Sequence, residues 1–331
     1  MRSPPKLGVA LRGPKVQSSS YTPELPDLPR IGSRGSPLAL AQAHEVRKRL
    51  EETRWFGPEA IEIHVIRTTG DAIQDRPLAA LGGKGLFTKE IEQALLDRRI
   101  DIAVHSTKDM PTVLPVGLLL AGCLPREDVR DAFISHKART LLDLPKGAVV
   151  GTASLRRQAM VKRLRPDLVV VPMRGNVETR LRKVDNDEID ATVMALAGLK
   201  RLGLGEAATS VFDVDEFPPA VGQGAIGLEI RADDELTRMR IAGVSDANTL
   251  TAITAERIFL SVLDGSCRTP IAGHARIVND TIQFRGLILK PDGSQAFETT
   301  RVGPVLEAIA LAHDAGEELR GRASPDFFST R

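Results

Sequence analysis

Three short stretches, Ser154-Leu155-Arg156-Arg157, Arg174-Gly175-Asn176 and Arg180-Leu181-Arg182, put arginine where a strand should hand over to a helix. A guanidinium is permanently charged and binds carboxylate or phosphate through paired hydrogen bonds. A helix start adds free N–H groups and a partial positive charge. Such spacing points to a cleft that holds a small molecule with several negative groups. Asp109 follows Lys108 after an apolar run. A carboxylate held there beside cations could steady a developing positive charge or relay a proton. The position equally suits an aspartate that caps a turn or helix.

The two cysteines read differently. Cys123 lies in the apolar run Gly117–Leu124 and is expected to be a buried, inert thiol. Cys267 sits in the turn-forming string Asp264-Gly265-Ser266-Cys267-Arg268-Thr269-Pro270, where Arg268 would favour thiolate, although a lone loop cysteine needs no function. Gly82-Gly83-Lys84-Gly85 lacks the hydroxyl residue and the glycine spacing of a nucleotide phosphate loop, so Lys84 reads as a cation on a mobile loop near an anionic ligand. The six histidines offer no metal-ligand spacing, and no metal is expected. Glu256 and Arg257 read as part of a solvated or interdomain face.

The elements that must position these groups follow an α/β grammar. Ile61–Ile66 alternates like a strand, Thr88 should cap a helix through Leu96, and Ile100–Val104 is a strand leading to Asp109. Strand, helix, strand predicts a parallel sheet. The pattern repeats after Pro125: strands at Ala148–Val150, Leu168–Val171 and Ala191–Leu196 alternate with helices capped by Ser154 and starting at Asn176. Pro218–Gly224 reads as a crossover or hinge. Beyond Asp246 come a helix to Leu263, the cysteine loop, strands near Gln283–Leu289 and a last helix. The expected fold is two similar α/β domains around a cleft, like those of periplasmic binding proteins, plus a smaller α+β C-terminal domain. Residues 30–124 with 225–242 should form the first domain, 125–224 the second and 243–331 the third. Ligands of such sheets sit at the carboxyl ends of strands, where the arginines and Asp109 lie.

The 331 residues carry 45 basic and 43 acidic side chains, a net charge of +2. With one Trp, one Tyr and no reader motif, this argues against nucleic-acid binding. No run of 18 apolar residues suggests a membrane span. Two cysteines fit a reducing compartment rather than a disulfide framework. Residues 1–29 are rich in Pro, Ser and basic residues without a signal-peptide core, and read as a disordered extension; an organelle address is the minor alternative.

Taken in order, further strings become recognisable: Ser33-Arg34-Gly35-Ser36-Pro37-Leu38-Ala39-Leu40, Gly82-Gly83-Lys84-Gly85-Leu86-Phe87, Asp101–Asp109, Ser154-Leu155-Arg156-Arg157-Gln158, Arg174-Gly175-Asn176-Val177, Ala197–Gly203, Gly222-Gln223-Gly224-Ala225 and the cysteine loop. From about Ile31 onward the chain resembles the porphobilinogen deaminase (hydroxymethylbilane synthase) family. The resemblance implies a monomeric, cytoplasmic transferase that joins four porphobilinogen molecules head to tail, releasing ammonia and hydroxymethylbilane, with hand-over of the product to the next enzyme. It implies a dipyrromethane cofactor attached through Cys267, with Asp109 as the catalytic carboxylate. Lys84, Ser106, Lys108, Thr152, Ser154, Arg156 and Arg157 would hold the cofactor, and Arg34, Ser36, Arg174, Arg180 and Arg201 the substrate. Ala153 and Ser266 depart from the family pattern without touching Asp109 or Cys267. The rival reading from another class is a solute-binding module, which would have no use for a loop thiol.

Overall fold

The computed structural model describes residues 28–53, 56–57, 60–72, 85–263, 269–324 and 326–328. Lys84, Cys267 and the extension up to residue 27 lie outside the described residues.

The first sheet holds β1 (Arg30–Ser33), β2 (Glu62–Val65), β3 (Ile102–Ser106), β4 (Leu118–Cys123) and β10 (Ile226–Arg231), in the order β2-β1-β3-β10-β4. The second holds β5 (Asp131–Ile134), β6 (Val149–Gly151), β7 (Val169–Val171), β8 (Ala191–Ala195) and β9 (Ser210–Val211), in the order β7-β6-β8-β5-β9. The two orders are equivalent: three parallel strands, then an antiparallel one, then an edge. The antiparallel member is in each case the first strand after a crossover, β5 after the segment following β4 and β10 after the segment following β9. Both sheets are therefore mixed, where alternation of strands and helices predicted parallel ones. A strand contributed by the return of the chain from the other unit has no local signature of its direction.

Helices fill the connections: α1 (Pro37–Glu51), α2 (Thr69–Ala72) and α3 (Lys89–Leu96) in the first unit, α4 (Leu155–Leu164), α5 (Val177–Asp185) and α6 (Leu196–Arg201) in the second. Their starts follow the side chains that can accept from free N–H groups. Ser36 accepts from the Ala39 amide at 3.3 Å with Pro37 opening the helix, Ser154 from Arg157 at 3.4 Å, and Asn176 from Thr179 at 2.9 Å. Thr88 precedes α3, but its side chain makes no cap hydrogen bond.

After β10 come α7 (Glu235–Ala242) and α8 (Ala247–Val262), then an antiparallel sheet of β11 (Ile271–Val278), β12 (Thr281–Leu289) and β13 (Ala296–Pro304), closed by α9 (Ala308–Arg322). Both faces of this small sheet are covered, and alternation along β12 sorts its side chains. Ile282, Phe284 and Ile288 pack with Phe259 of α8 and with Ala312, Ala315 and Leu319 of α9. Leu287 and Leu289 turn the other way, into the core that holds Phe133, Val150 and Met160 of the second unit. The last unit is thus welded to the second through shared apolar burial.

Candidate active site

β3 ends at Ser106 and gives way to a single 3-10 turn, Thr107–Asp109. This turn is tied to the crossover that returns from the second sheet. The Thr107 hydroxyl donates to the Gly222 carbonyl at 2.6 Å, and the Thr107 amide donates to Ala225 O at 3.1 Å. Gly222 has φ +76°, and a Cβ there would meet the Thr107 hydroxyl at 2.8 Å and the Lys108 amide nitrogen at 2.9 Å. Only glycine lets this backbone come so close.

The second unit supplies arginines from the first turn of α4, which contains no acid. Cations at a helix N-terminus oppose its partial positive charge, so a local rule is broken where function is expected. Asp131, buried at the start of β5, compensates: its Oδ2 accepts from Arg156 Nη2 at 2.6 Å and its Oδ1 from Arg157 Nη2 at 2.7 Å. Arg156 also donates to Pro218 O at 2.7 Å, and its Nε is buried with no hydrogen-bond partner among the described residues. Burial alone would raise the Asp131 pKa, but Arg156 and Arg157 outweigh it and hold the carboxyl down at about 2. The buried Gln223 completes the group by donating to Asp131 Oδ1 at 3.1 Å and to Val129 O at 2.7 Å.

The two units meet electrostatically at Lys108. Burial pushes its ammonium down to about 8, against Asp109; the charges of Arg157, Asp131 and Arg156 also reach it. Burial likewise lowers Arg180 to about 10, and the charges felt there are Arg157, Asp109 and Arg174. Five cations and two carboxylates therefore share one region between the sheets. Arg180 Nε donates to Gly175 O at 2.9 Å, and its terminal nitrogens have no partner among the described residues. Thr152 is buried beside the α4 cap and accepts from the Ser154 amide at 3.2 Å. Ser106 is half-buried at the end of β3. An excess of buried and half-buried cations suits a ligand with many carboxylates.

Three further expected residues are engaged by other partners. Arg34 is paired with Asp71 and stacks on Phe87, 4.1 Å from the ring centroid. Ser36 caps α1. Arg201 donates to Glu45 at 3.3 Å and to Gly224 O at 3.0 Å, bridging α1 and α6. Asp131 and Gln223 carry weight that sequence reasoning did not assign. The available signal was an aspartate opening the apolar strand Asp131-Ala132-Phe133-Ile134, a place where an unpaired carboxylate would be costly. Cys123 is buried as expected, and burial pushes its thiol up to about 12. Glu256 and Arg257 lie on an interdomain face: Glu256 is buried and pairs with Arg126 at 2.6 Å.

Residues 29–239 match the family described as porphobilinogen deaminase, dipyromethane cofactor binding domain, and residues 250–321 match the porphobilinogen deaminase C-terminal domain. The porphobilinogen deaminases of Nitrobacter winogradskyi and Nitrobacter hamburgensis are each 61% identical over 314 residues, covering 95% of this chain and 98% of the relative. Among solved structures, a periplasmic substrate-binding protein from Coxiella burnetii aligns with a TM-score of 0.42 at 14% identity, over 67% of this chain and 94% of that one.

Proposed function

The chain belongs to the porphobilinogen deaminase family, and from that premise we propose which of its residues carry the reaction. The activity is the head-to-tail polymerisation of porphobilinogen in tetrapyrrole synthesis, with a dipyrromethane cofactor. The observation that carries the residue assignment is the meeting of Lys108 and Asp109 from one sheet with Arg157 and Arg180 from the other.

In this reading Cys267 is the covalent anchor, and Lys84, Ser106, Lys108, Thr152, Ser154 and Arg157 bind the cofactor's acidic arms. When bound, the dipyrromethane supplies a fixed starting point and a nucleophilic terminal pyrrole carbon. Arg156 joins this cofactor-binding group while bonding Asp131 and Pro218 O of the crossover. Arg180 and Arg174 receive the carboxylates of the incoming porphobilinogen. Ser36 contributes from the start of α1. Arg34 and Arg201 join by exchanging Asp71 and Glu45 for substrate carboxylates.

Asp109 is the catalytic residue. As ammonia leaves porphobilinogen, positive charge develops on the methylene-pyrrole. A carboxylate fixed beside the ring N–H stabilises that charge without reorganising. The cations around Asp109 bind the side arms that hold the ring still, so reacting atoms meet in a set geometry. Four additions, with release of hydroxymethylbilane, fit a cleft lined by arginine. Of three domains, 30–124 with 225–242, 125–224 and 243–331, the last two would move together against the first around the crossovers as the chain lengthens. We also assign a monomer in the cytoplasm that passes its product to the next enzyme.

The experiment is Asp109→Asn. The variant should keep its fold and its bound pyrroles while turnover falls by roughly 10²–10³. Near-normal turnover would remove Asp109 from the mechanism.

A further inference from the structure

Among the described residues, one side chain bonds the backbone of the segment that leaves Asp109. Met110 N donates back to Thr107 O at 3.3 Å, and Leu118 N donates to Pro115 O at 3.1 Å. Met110 is buried, but beyond it Pro111 and Pro115 have no N–H, Val113 and Val116 are 76% and 99% exposed, and no strand includes residues 111–116. Its Pro111 and Thr112 carbonyls both accept from Arg257 Nη2, at 2.6 and 3.2 Å. Arg257 belongs to α8, and its charge is supported by the buried Glu229 of β10 against the burial that disfavours it.

The helix that provides this contact is itself immobilised by the preceding residue. Glu256 accepts from Arg126 at 2.6 Å, from the Gly222 amide at 2.7 Å and from the Ala275 amide at 2.8 Å. These partners belong to the first crossover, the second crossover and β11. The same helix ends at Val262, and the chain from there runs to Cys267. Asp109 is thus fixed on its N-terminal side by Thr107 on the returning crossover and on its C-terminal side by Arg257 on the helix that leads to the cysteine loop.

We propose that Arg257 is a positioning residue for Asp109, setting the carboxylate's place relative to the cysteine-bearing unit by pinning the Pro111 and Thr112 carbonyls. The proposal rests on Asp109 being the catalytic residue. Without the guanidinium the turn after β3 stays hooked by Thr107 and Met110 stays buried, but residues 111–116 lose the side chain that ties them to α8. The carboxylate then samples several positions, and small misplacements of a reacting group lower turnover steeply.

The test uses the cofactor-loaded enzyme with Arg257→Met, Arg257→Lys, Asp109→Asn and the Asp109→Asn/Arg257→Met double variant, rates being normalised to the loaded fraction from intact mass. Amides of residues 110–117 should exchange with solvent faster in Arg257→Met, and less so in Arg257→Lys, which keeps a donor. Arg257→Met should lower kcat by about 10-fold or more with little change in KM, and Arg257→Lys should recover part of the loss. In the Asp109→Asn background, Arg257→Met should lower kcat no further, because the two act as a unit. An equal fold-loss in both backgrounds, or unchanged exchange of residues 110–117, would overturn the positioning role while leaving Asp109 in place. Normal turnover of Asp109→Asn would instead remove the premise, and the proposal with it.

Discussion

Asp131 Oδ1 accepts from Nη2 of Arg157 at 2.7 Å, so this arginine reaches the cleft with its direction fixed and part of its charge offset. The same carboxylate holds Arg156, and the three groups form one buried ionic unit under the α4 start.

Removing the shared carboxylate leaves two buried guanidinium groups side by side. Asp131→Asn should therefore cost about 3–5 kcal/mol in urea unfolding. The pH dependence has a definite sign. The folded-state pKa is held at about 2, below the ordinary 3.8, by Arg156 and Arg157 against the opposing effect of burial. The stabilisation is complete above the ordinary value and drains away as pH falls towards about 2. Stability of the parent protein should thus fall more steeply than that of Asp131→Asn between those limits. Parallel slopes would show that the carboxylate is not charge-coupled to the arginines.

Lys108 predicts an alkaline limb. Burial lowers its ammonium to about 8 despite Asp109, and only the charged form can pair with a substrate or cofactor carboxylate. The kcat/KM should decline as pH rises through that value, since this ratio reports the free enzyme. Lys108→Arg should move the limb upward, because a guanidinium stays charged. A limb that persists unchanged in the variant would assign it to another group.

A buried acidic pair behind the first sheet predicts the opposite pH behaviour. Glu92 is buried, and its pKa is raised by burial first and by Glu229 in addition. Glu229 lies 3.0 Å from His105 Nε2. A raised carboxyl favours folding while protonated and loses that contribution as pH rises through its folded-state value. Glu92→Gln should match the parent in thermal melts near its ordinary pKa of 4.5 and exceed it near pH 8. A variant that melts lower at both values would mean that the carboxylate is needed for structure.

Local chemistry made the helix starts legible. Ser154 and Asn176 cap α4 and α5 where hydroxyl and amide side chains precede periodic apolar residues. The strand leading to Lys108-Asp109 was equally plain, displaced by two residues from the apolar run that announced it. Pairing was not legible. β10 inserts antiparallel between β3 and β4 although more than a hundred residues separate them from it, and nothing in Ile226–Arg231 encodes that choice. Long-range ion pairs were hidden for the same reason. Arg201 looks like its neighbours in sequence yet bonds Glu45 on another unit, and Asp131 reveals its task only when the α4 arginines fold over it.

Intact mass of the purified protein tests the covalent anchor most directly. The chain should weigh more than its sequence by one dipyrromethane, and Cys267→Ser should weigh its sequence alone and be inactive. An unmodified mass with full porphobilinogen turnover would contradict the account.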